Sequence, residues 1–351
     1  MTAAPRPLDG IRVLDFTRYI PGPYCTLLLA SMGADVVKIE APPLGDPMRH
    51  LSAPGNDWLN RGKRSAVVDL RSEGGAAALQ HLAARADVLV DGFRPGVLAR
   101  HGLGAAEVRA ANPRLVYCSL TGYGSEGPLA ARGGHDVNYV ALGGLLAANE
   151  AGGGPVLPRV QLADMTGGLL AALAVLAALH ARERTGRGQI VDVSLLEAVR
   201  ALMSVADARG LAFSDRPDEL GGEYACYNVY RCRDGRHVSV GALEPKFWEA
   251  LVTALGLSGE AREQWPRSEQ TRRAGVEAVR AAFAARDRDD WMRALAAVDA
   301  CVEPVLDLAE SRDRFGAPGA PFRLGDTPLQ AGATAPRLGQ HTAEVLEEAA
   351  R

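Results

Sequence analysis

Short β-branched runs alternate with helical patterns through the first half of the chain. I-R-V-L-D-F (11–16) reads as a strand and P-Y-C-T-L-L-L-A-S-M-G (23–33) as a helix closed by Gly33. D-V-V-K-I-E (35–40), A-V-V-D-L (66–70), D-V-L-V-D-G-F (87–93) and L-V-Y-C-S-L (115–120) read as further strands, with a helix at 73–85. This alternation implies a mostly parallel sheet covered on both faces. In such sheets ligands sit beyond the carboxyl ends of the strands. Asp91–Arg94 and Thr121–Gly124 therefore fall at a binding edge. R-Y-I-P-G-P-Y follows the first strand where a dinucleotide fold has G-x-G-x-x-G, so a nicotinamide cofactor is not indicated.

Helices are expected at 137–147 and 164–184, then a return to the sheet at 189–195 and a helix at 196–212. F-S-D-R-P-D-E-L-G-G-E (213–223) is polar and reads as linker. Beyond it the pattern changes to an antiparallel hairpin (226–243) and helices at 246–256, 270–285 and 288–298. The tail, 336–350, reads as a capped helix with Thr342 near its start. The fold expected is α/β: a large Rossmann-like domain with a parallel sheet over 1–188, completed by 314–351. A linker region at 189–225 leads to a smaller α+β domain at 226–313.

Composition narrows the function. The 351 residues are 47% hydrophobic and 23% charged, with a net charge of −3. That gives no electrostatic case for nucleic acid or an anionic membrane. The longest apolar run, 169–179, is too short to span a bilayer and is followed by His180, Arg182 and Glu183, so it reads as a buried core helix. M-T-A-A-P-R-P-L-D-G has no apolar core for a signal peptide, and a cytoplasmic protein is expected. The five cysteines are scattered without C-x-x-C spacing; they imply neither a zinc site nor a disulfide framework, and no metal is expected.

Candidate chemistry sits in G-G-H-D-V-N-Y (133–139) and A-D-M-T-G-G (163–168). They place His135 and Asp164 each at the start of a helical run. A histidine and a carboxylate facing one carbon are what a proton-transferring enzyme needs. The alternative for Asp164 is an ordinary helix N-cap. Asp15, Asp69 and Asp87 read as strand-end or cap residues.

Ordered blocks along nearly the whole chain carry a resemblance. They are L-D-G-I-R-V-L-D-F-T-R-Y-I-P-G-P (8–23), G-A-D-V-V-K-I-E (33–40), G-D-P-M-R (45–49) and N-R-G-K-R-S-A-V-V-D-L (60–70). Further on stand G-F-R-P-G-V-L-A-R-H-G-L-G (92–104), S-L-T-G-Y-G-S-E-G-P (119–128), A-D-M-T-G-G (163–168) and P-R-L-G-Q-H-T-A-E-V-L (336–346). The chain resembles the family III coenzyme A transferases, whose members include the α-methylacyl-CoA racemases. By that resemblance, Asp164 matches an aspartate that is the acyl-carrying nucleophile in transferases and a base in racemases. His135-Asp136 matches the His-Asp pair of the racemases. Glu244, in V-G-A-L-E-P-K-F (240–247), matches a racemase glutamate that hydrogen-bonds the histidine, and D-A-C-V-E-P-V (299–305) is racemase-like.

The resemblance further implies an interlocked homodimer, with coenzyme A held by Arg71, Gly92, Phe93, Arg94 and Arg100. Asp136 and Tyr139 would line the pantetheine and thioester end. The activity implied is inversion at C2 of 2-methyl-branched acyl-CoA thioesters, with no cofactor beyond the coenzyme A of the substrate. A transferase using Asp164 as covalent nucleophile and a non-catalytic acyl-CoA-binding protein are the alternatives. Met165-Thr166 after Asp164 and Gly221-Gly222-Glu223 depart from the racemase pattern and leave the acyl group open.

Overall fold

Five β-branched runs of the first half, and one just beyond it, become a single sheet. The computed structural model describes residues 5–151, 153–210, 218–319, 321–330 and 332–351. Its strands are β1 (Arg12–Phe16), β2 (Asp35–Glu40), β3 (Arg64–Val67), β4 (Val88–Asp91) and β5 (Val116–Thr121). A two-residue ladder, β6 (Glu150–Ala151) with β7 (Gly154–Pro155), stands apart, and β8 (Ile190–Ser194) is the sixth strand of the sheet. The order is β3-β2-β1-β4-β5-β8, every pair parallel. The order reverses between β1 and β4, which opens a crevice beyond their carboxyl ends.

The helices among these strands are α1 (Pro21–Ser31), α2 (Met48–Leu51), α3 (Ala53–Asn60), α4 (Glu73–Ala83), α5 (Ala105–Ala111), α6 (Asp136–Leu142), α7 (Leu145–Ala148), α8 (Leu162–Thr185) and α9 (Leu195–Ala208). Alternate strand residues feed two cores. Val13, Val36, Val88, Val116 and Cys118 pack with α1 and α8 on one face. Leu14, Phe16, Val37, Leu89 and Tyr117 pack with α4 on the other. Both faces are therefore dry, as a parallel sheet requires.

α8 is 24 residues long and apolar enough, by length and composition, to cross a membrane, but half of its most apolar window is buried in this unit. It lies hard against the start of α1. A Cβ on Gly168 would stand 2.4 Å from the Pro21 carbonyl oxygen, so only glycine allows this approach. The helix expected at 137–147 is two helices, because Gly144 takes a left-handed φ of 85° that breaks the first.

The final helix, α14 (Thr342–Ala350), packs on α4 and β3. β3 is an edge strand, and its outward N–H groups need acceptors. His341 Nδ1 accepts from the Ser65 N–H at 3.1 Å and Thr342 Oγ1 from the Val67 N–H at 3.0 Å. Thr342 is the first residue of the helix, as near its start as expected, and His341 stands at the N-cap position.

The chain divides into two units, Met1–Val205 with Gly319–Arg351, and Ala206–Pro318. Residues 189–205, expected in the linker, thus belong to the first unit, since β8 completes its sheet. Of the expected linker loop, 213–217 lies outside the described residues, as do 211–212 at the expected end of the preceding helix. The second unit holds the hairpin β9 (Tyr227–Arg231) and β10 (His237–Gly241), with β11 (Val302–Pro304) added antiparallel to β10. Its helices are α10 (Pro245–Ala254), α11 (Glu269–Ala284), α12 (Arg288–Leu295) and α13 (Leu308–Phe315), around a core of Tyr230, Trp248, Phe283 and Trp291.

Asp15 is neither a cap nor a simple strand end. It sits fully buried near the carboxyl end of β1, beside two buried lysines. Lys63 Nζ lies 3.2 Å from its Oδ2 and also donates to the Pro23 carbonyl, Thr26 and Asn60. Lys38 Nζ pairs with Asp46 at 2.9 Å and donates to the Thr17 carbonyl at 2.9 Å. Burial pulls Lys63 down to about 8, partly offset by Asp15. Burial opposes charge on Lys38 as well, but the carboxylates of Asp15, Asp46 and Glu40 outweigh it and raise that pKa. Buried charges paired in this way are costly to break singly. Asp15→Asn should destabilise the protein by about 3–5 kcal/mol, measured by urea denaturation. A loss under about 1 kcal/mol would mean the lysines find other partners.

Candidate active site

A cleft of about 490 Å³ opens at the sheet's reversal point. Three strand ends floor it: Arg18 and Tyr19 after β1, Gly92–Pro95 after β4, and Thr121 and Gly122 at the end of β5. Asp91 sets the second of these. Its buried carboxylate accepts from the Tyr117 hydroxyl at 2.7 Å and the Phe93 N–H at 2.8 Å, and burial pushes it up to about 6. The Arg18 guanidinium lies 4.8 Å from the centre of the Phe93 ring, a cation–π contact that joins the first two loops.

His135 and Asp164 both line this cleft. His135 is the N-cap residue of α6, with its ring exposed and its N–H donated to Asn138 Oδ1 at 3.0 Å. The Tyr19 ring stands edge-on to its imidazole, centroids 5.9 Å apart. Asp164 lies in the first turn of α8. Burial, reinforced by the Asp136 carboxylate, pushes it up to about 7, against the pull of the helix dipole.

Asp136 joins the two. It is the first residue of α6, and its carboxylate accepts the Asp164 N–H at 3.1 Å. It thereby caps α8 from a neighbouring helix and fixes the His135 end of one helix against the Asp164 end of the other. Tyr139, one turn along α6, is buried beside Gly122 and T-stacked on Tyr123 at 5.1 Å. Burial and its acidic neighbours push its hydroxyl up to about 12, so it remains a donor.

Six of the residues singled out in the sequence thus meet here: Gly92, Phe93, Arg94, His135, Tyr139 and Asp164. Asp136 supports them from behind. Arg71 and Arg100 do not line the cleft. Arg71 is 79% exposed and chelates Asp69. It follows β3, two strands or roughly 10 Å from β1. Arg100, in a single turn after β4, reaches back to the Gly96 carbonyl. Glu244 belongs to the second unit, exposed at the N-cap of α10. There the two racemase-like blocks become neighbours, because Val240 pairs with Val302 across β10 and β11. Arg18, Tyr19, Arg132 and Asn138 line the cleft without having been expected. Arg18 and Tyr19 stand where the missing glycine motif drew attention, and that position is the one signal that could have found them.

The elevated Asp164 has a consequence for stability. Its folded pKa exceeds its ordinary value of 3.8, so folding takes up a proton between the two. That contribution is full below the ordinary value and fades as pH rises through about 7. Asp164→Asn should therefore raise the melting temperature more at about pH 8 than at about pH 5. Equal shifts at both pH values would contradict the assignment.

With the geometry in hand, comparison with known proteins gives one answer. The family model for CoA-transferase family III matches residues 8–315. The human alpha-methylacyl-CoA racemase is 35% identical over 97% of this chain and 93% of its own. The succinyl-CoA–L-malate CoA-transferase alpha subunit of Chloroflexus aurantiacus is 33% identical over 97% of this chain and 88% of its own. A solved CAIB/BAIF family protein from Brucella suis superposes with a TM-score of 0.84 at 29% identity, covering 98% of this chain and 99% of that one. Sequence and fold agree that the chain belongs to CoA-transferase family III.

Proposed function

We propose that this protein is a racemase that inverts the C2 centre of 2-methyl-branched acyl-CoA thioesters. The observation that carries the reading is one cleft holding an exposed imidazole and a carboxyl group poised near neutrality. One base removes the C2 proton, and the electron pair moves onto the thioester oxygen as an enolate. The acid on the opposite face returns a proton to C2. The enolate oxygen needs donors, which backbone N–H groups at helix starts can supply.

Coenzyme A phosphates call for cations, and Arg94 is the one within the cleft that the family resemblance also names. Arg71 and Arg100 would meet the nucleotide end. Glu244 would orient His135 across an interlocked dimer. A homodimer is supported by exposed apolar side chains on three helices of the first unit, among them Leu142, Leu169, Leu173 and Leu202. Active monomer in dilute sedimentation runs would sink the dimer.

The second reading is a transferase in which Asp164 carries the acyl group. Its support is the similar identity of racemase and transferase relatives. Variants separate the two, using exchange of the C2 proton in deuterated water. Racemisation predicts that His135→Ala loses about 10²–10⁴ in the direction where His135 abstracts, and that Asp164→Asn does so in the other. A transferase predicts that Asp164→Asn abolishes acyl transfer while His135→Ala changes little.

The pH dependence follows from Asp164. Either direction needs one member of the pair ionised and the other protonated, and the equilibrium between the two C2 epimers does not vary with pH, so kcat/KM for both should change together as Asp164 titrates near pH 7. A kcat/KM that stays flat through that region for both would contradict the role of Asp164.

A further inference from the structure

We propose that Tyr19 is a positioning residue for the His135 imidazole, acting from within the same chain. This rests on the reading of His135 as a base. Tyr19 has a φ of 65°, and only one other described non-glycine residue, Cys301, is also positive. A bulky side chain rarely accepts this left-handed region unless its surroundings force it. Core packing is not the cause, because Tyr19 is 37% exposed and faces the cleft.

The force comes from below. Lys38 donates to the Thr17 carbonyl at 2.9 Å and pairs with Asp46 at 2.9 Å, both side chains fully buried. Asp46 Oδ1 in turn accepts the Tyr19 N–H at 3.1 Å. The ion pair thus grips the backbone on either side of Arg18 and twists residue 19 toward the cleft. The result is a ring perpendicular to the imidazole, at 89° and 5.9 Å between centroids. That is a favoured edge-to-face geometry. His135 is otherwise exposed, and a base must be held in its reactive orientation before substrate arrives.

Glycine adopts positive φ without cost, which gives a clean test. Tyr19→Gly removes the ring and the backbone strain together, and Tyr19→Phe keeps the ring. The Tyr19→Gly protein should be at least as stable as the wild type in urea. In the full-length Tyr19→Gly protein, labelled at the histidine 13Cε1 position, the His135 signal should shift and broaden. That signal is assigned by its loss in His135→Gln. Inversion at C2 should fall about 10- to 100-fold in both directions, the scale of a misplaced base, and Tyr19→Phe should restore both signal and rate.

An unmoved His135 signal in Tyr19→Gly would overturn the proposal. So would inversion at the wild-type rate in Tyr19→Gly. If the wild type exchanges no C2 proton, but the His135 signal moves as expected, the racemase reading fails and the positioning of the ring by Tyr19 stands.

Discussion

Two lysines and two carboxylates lie buried beneath the mouth of the sheet, and the site depends on them. Asp15, Lys38, Lys63 and Asp46 have fully buried side chains. Taking such groups from water costs several kcal/mol each, and hydrophobic replacements of similar volume would often be as stable. What hydrophobes cannot do is grip backbone carbonyl and N–H groups at chosen points. Here the grip falls on Thr17, Tyr19 and Pro23, at the turn from β1 into α1. In a dinucleotide fold that turn is shaped by glycines. In this chain it is shaped by charge, and it can carry two large side chains, Arg18 and Tyr19, into the cleft.

The other wall is built from helix ends. α8 approaches α1 closely at Gly168, and Asp136 of α6 caps its first turn. Placing a carboxylate at that end meets an orphan N–H group but crowds Asp164 with a second negative charge. Burial and this neighbour outweigh the helix dipole and leave Asp164 near neutrality. The same contact that fixes the geometry between the two helices therefore tunes the group that would move a proton.

Much of this was legible in the sequence, for physical reasons. The β-branched runs marked six strands, since a parallel sheet buries both faces and leaves few polar interruptions. His135 and Asp164 could be found because each begins a helical run, and Gly92-Phe93-Arg94 because it follows a strand. α2 and α3 were not visible. They are short, separated by Ser52, and α3 carries Pro54 and Gly55 in its first turn, which read as loop. The backbone twist at Tyr19 gave no sign because nothing in a tyrosine announces a positive φ; the cause lies at Lys38 and Asp46, distant in sequence. A lysine in the middle of D-V-V-K-I-E and an aspartate in I-R-V-L-D-F were the available hints. Each stands between apolar neighbours, and a charged side chain is almost never fully buried unless it is paired.

The central claim is that two different groups serve the two faces of one carbon. The most direct test follows where solvent deuterium goes at early conversion of a single protiated enantiomer of a 2-methylacyl-CoA. With His135 on one face and Asp164 on the other, the inverted product should carry deuterium at C2 while recovered substrate remains almost entirely protiated. Deuterium appearing equally in substrate and product would mean that one base serves both faces. No deuterium in either would mean that the C2 proton is never removed, and the account would be wrong.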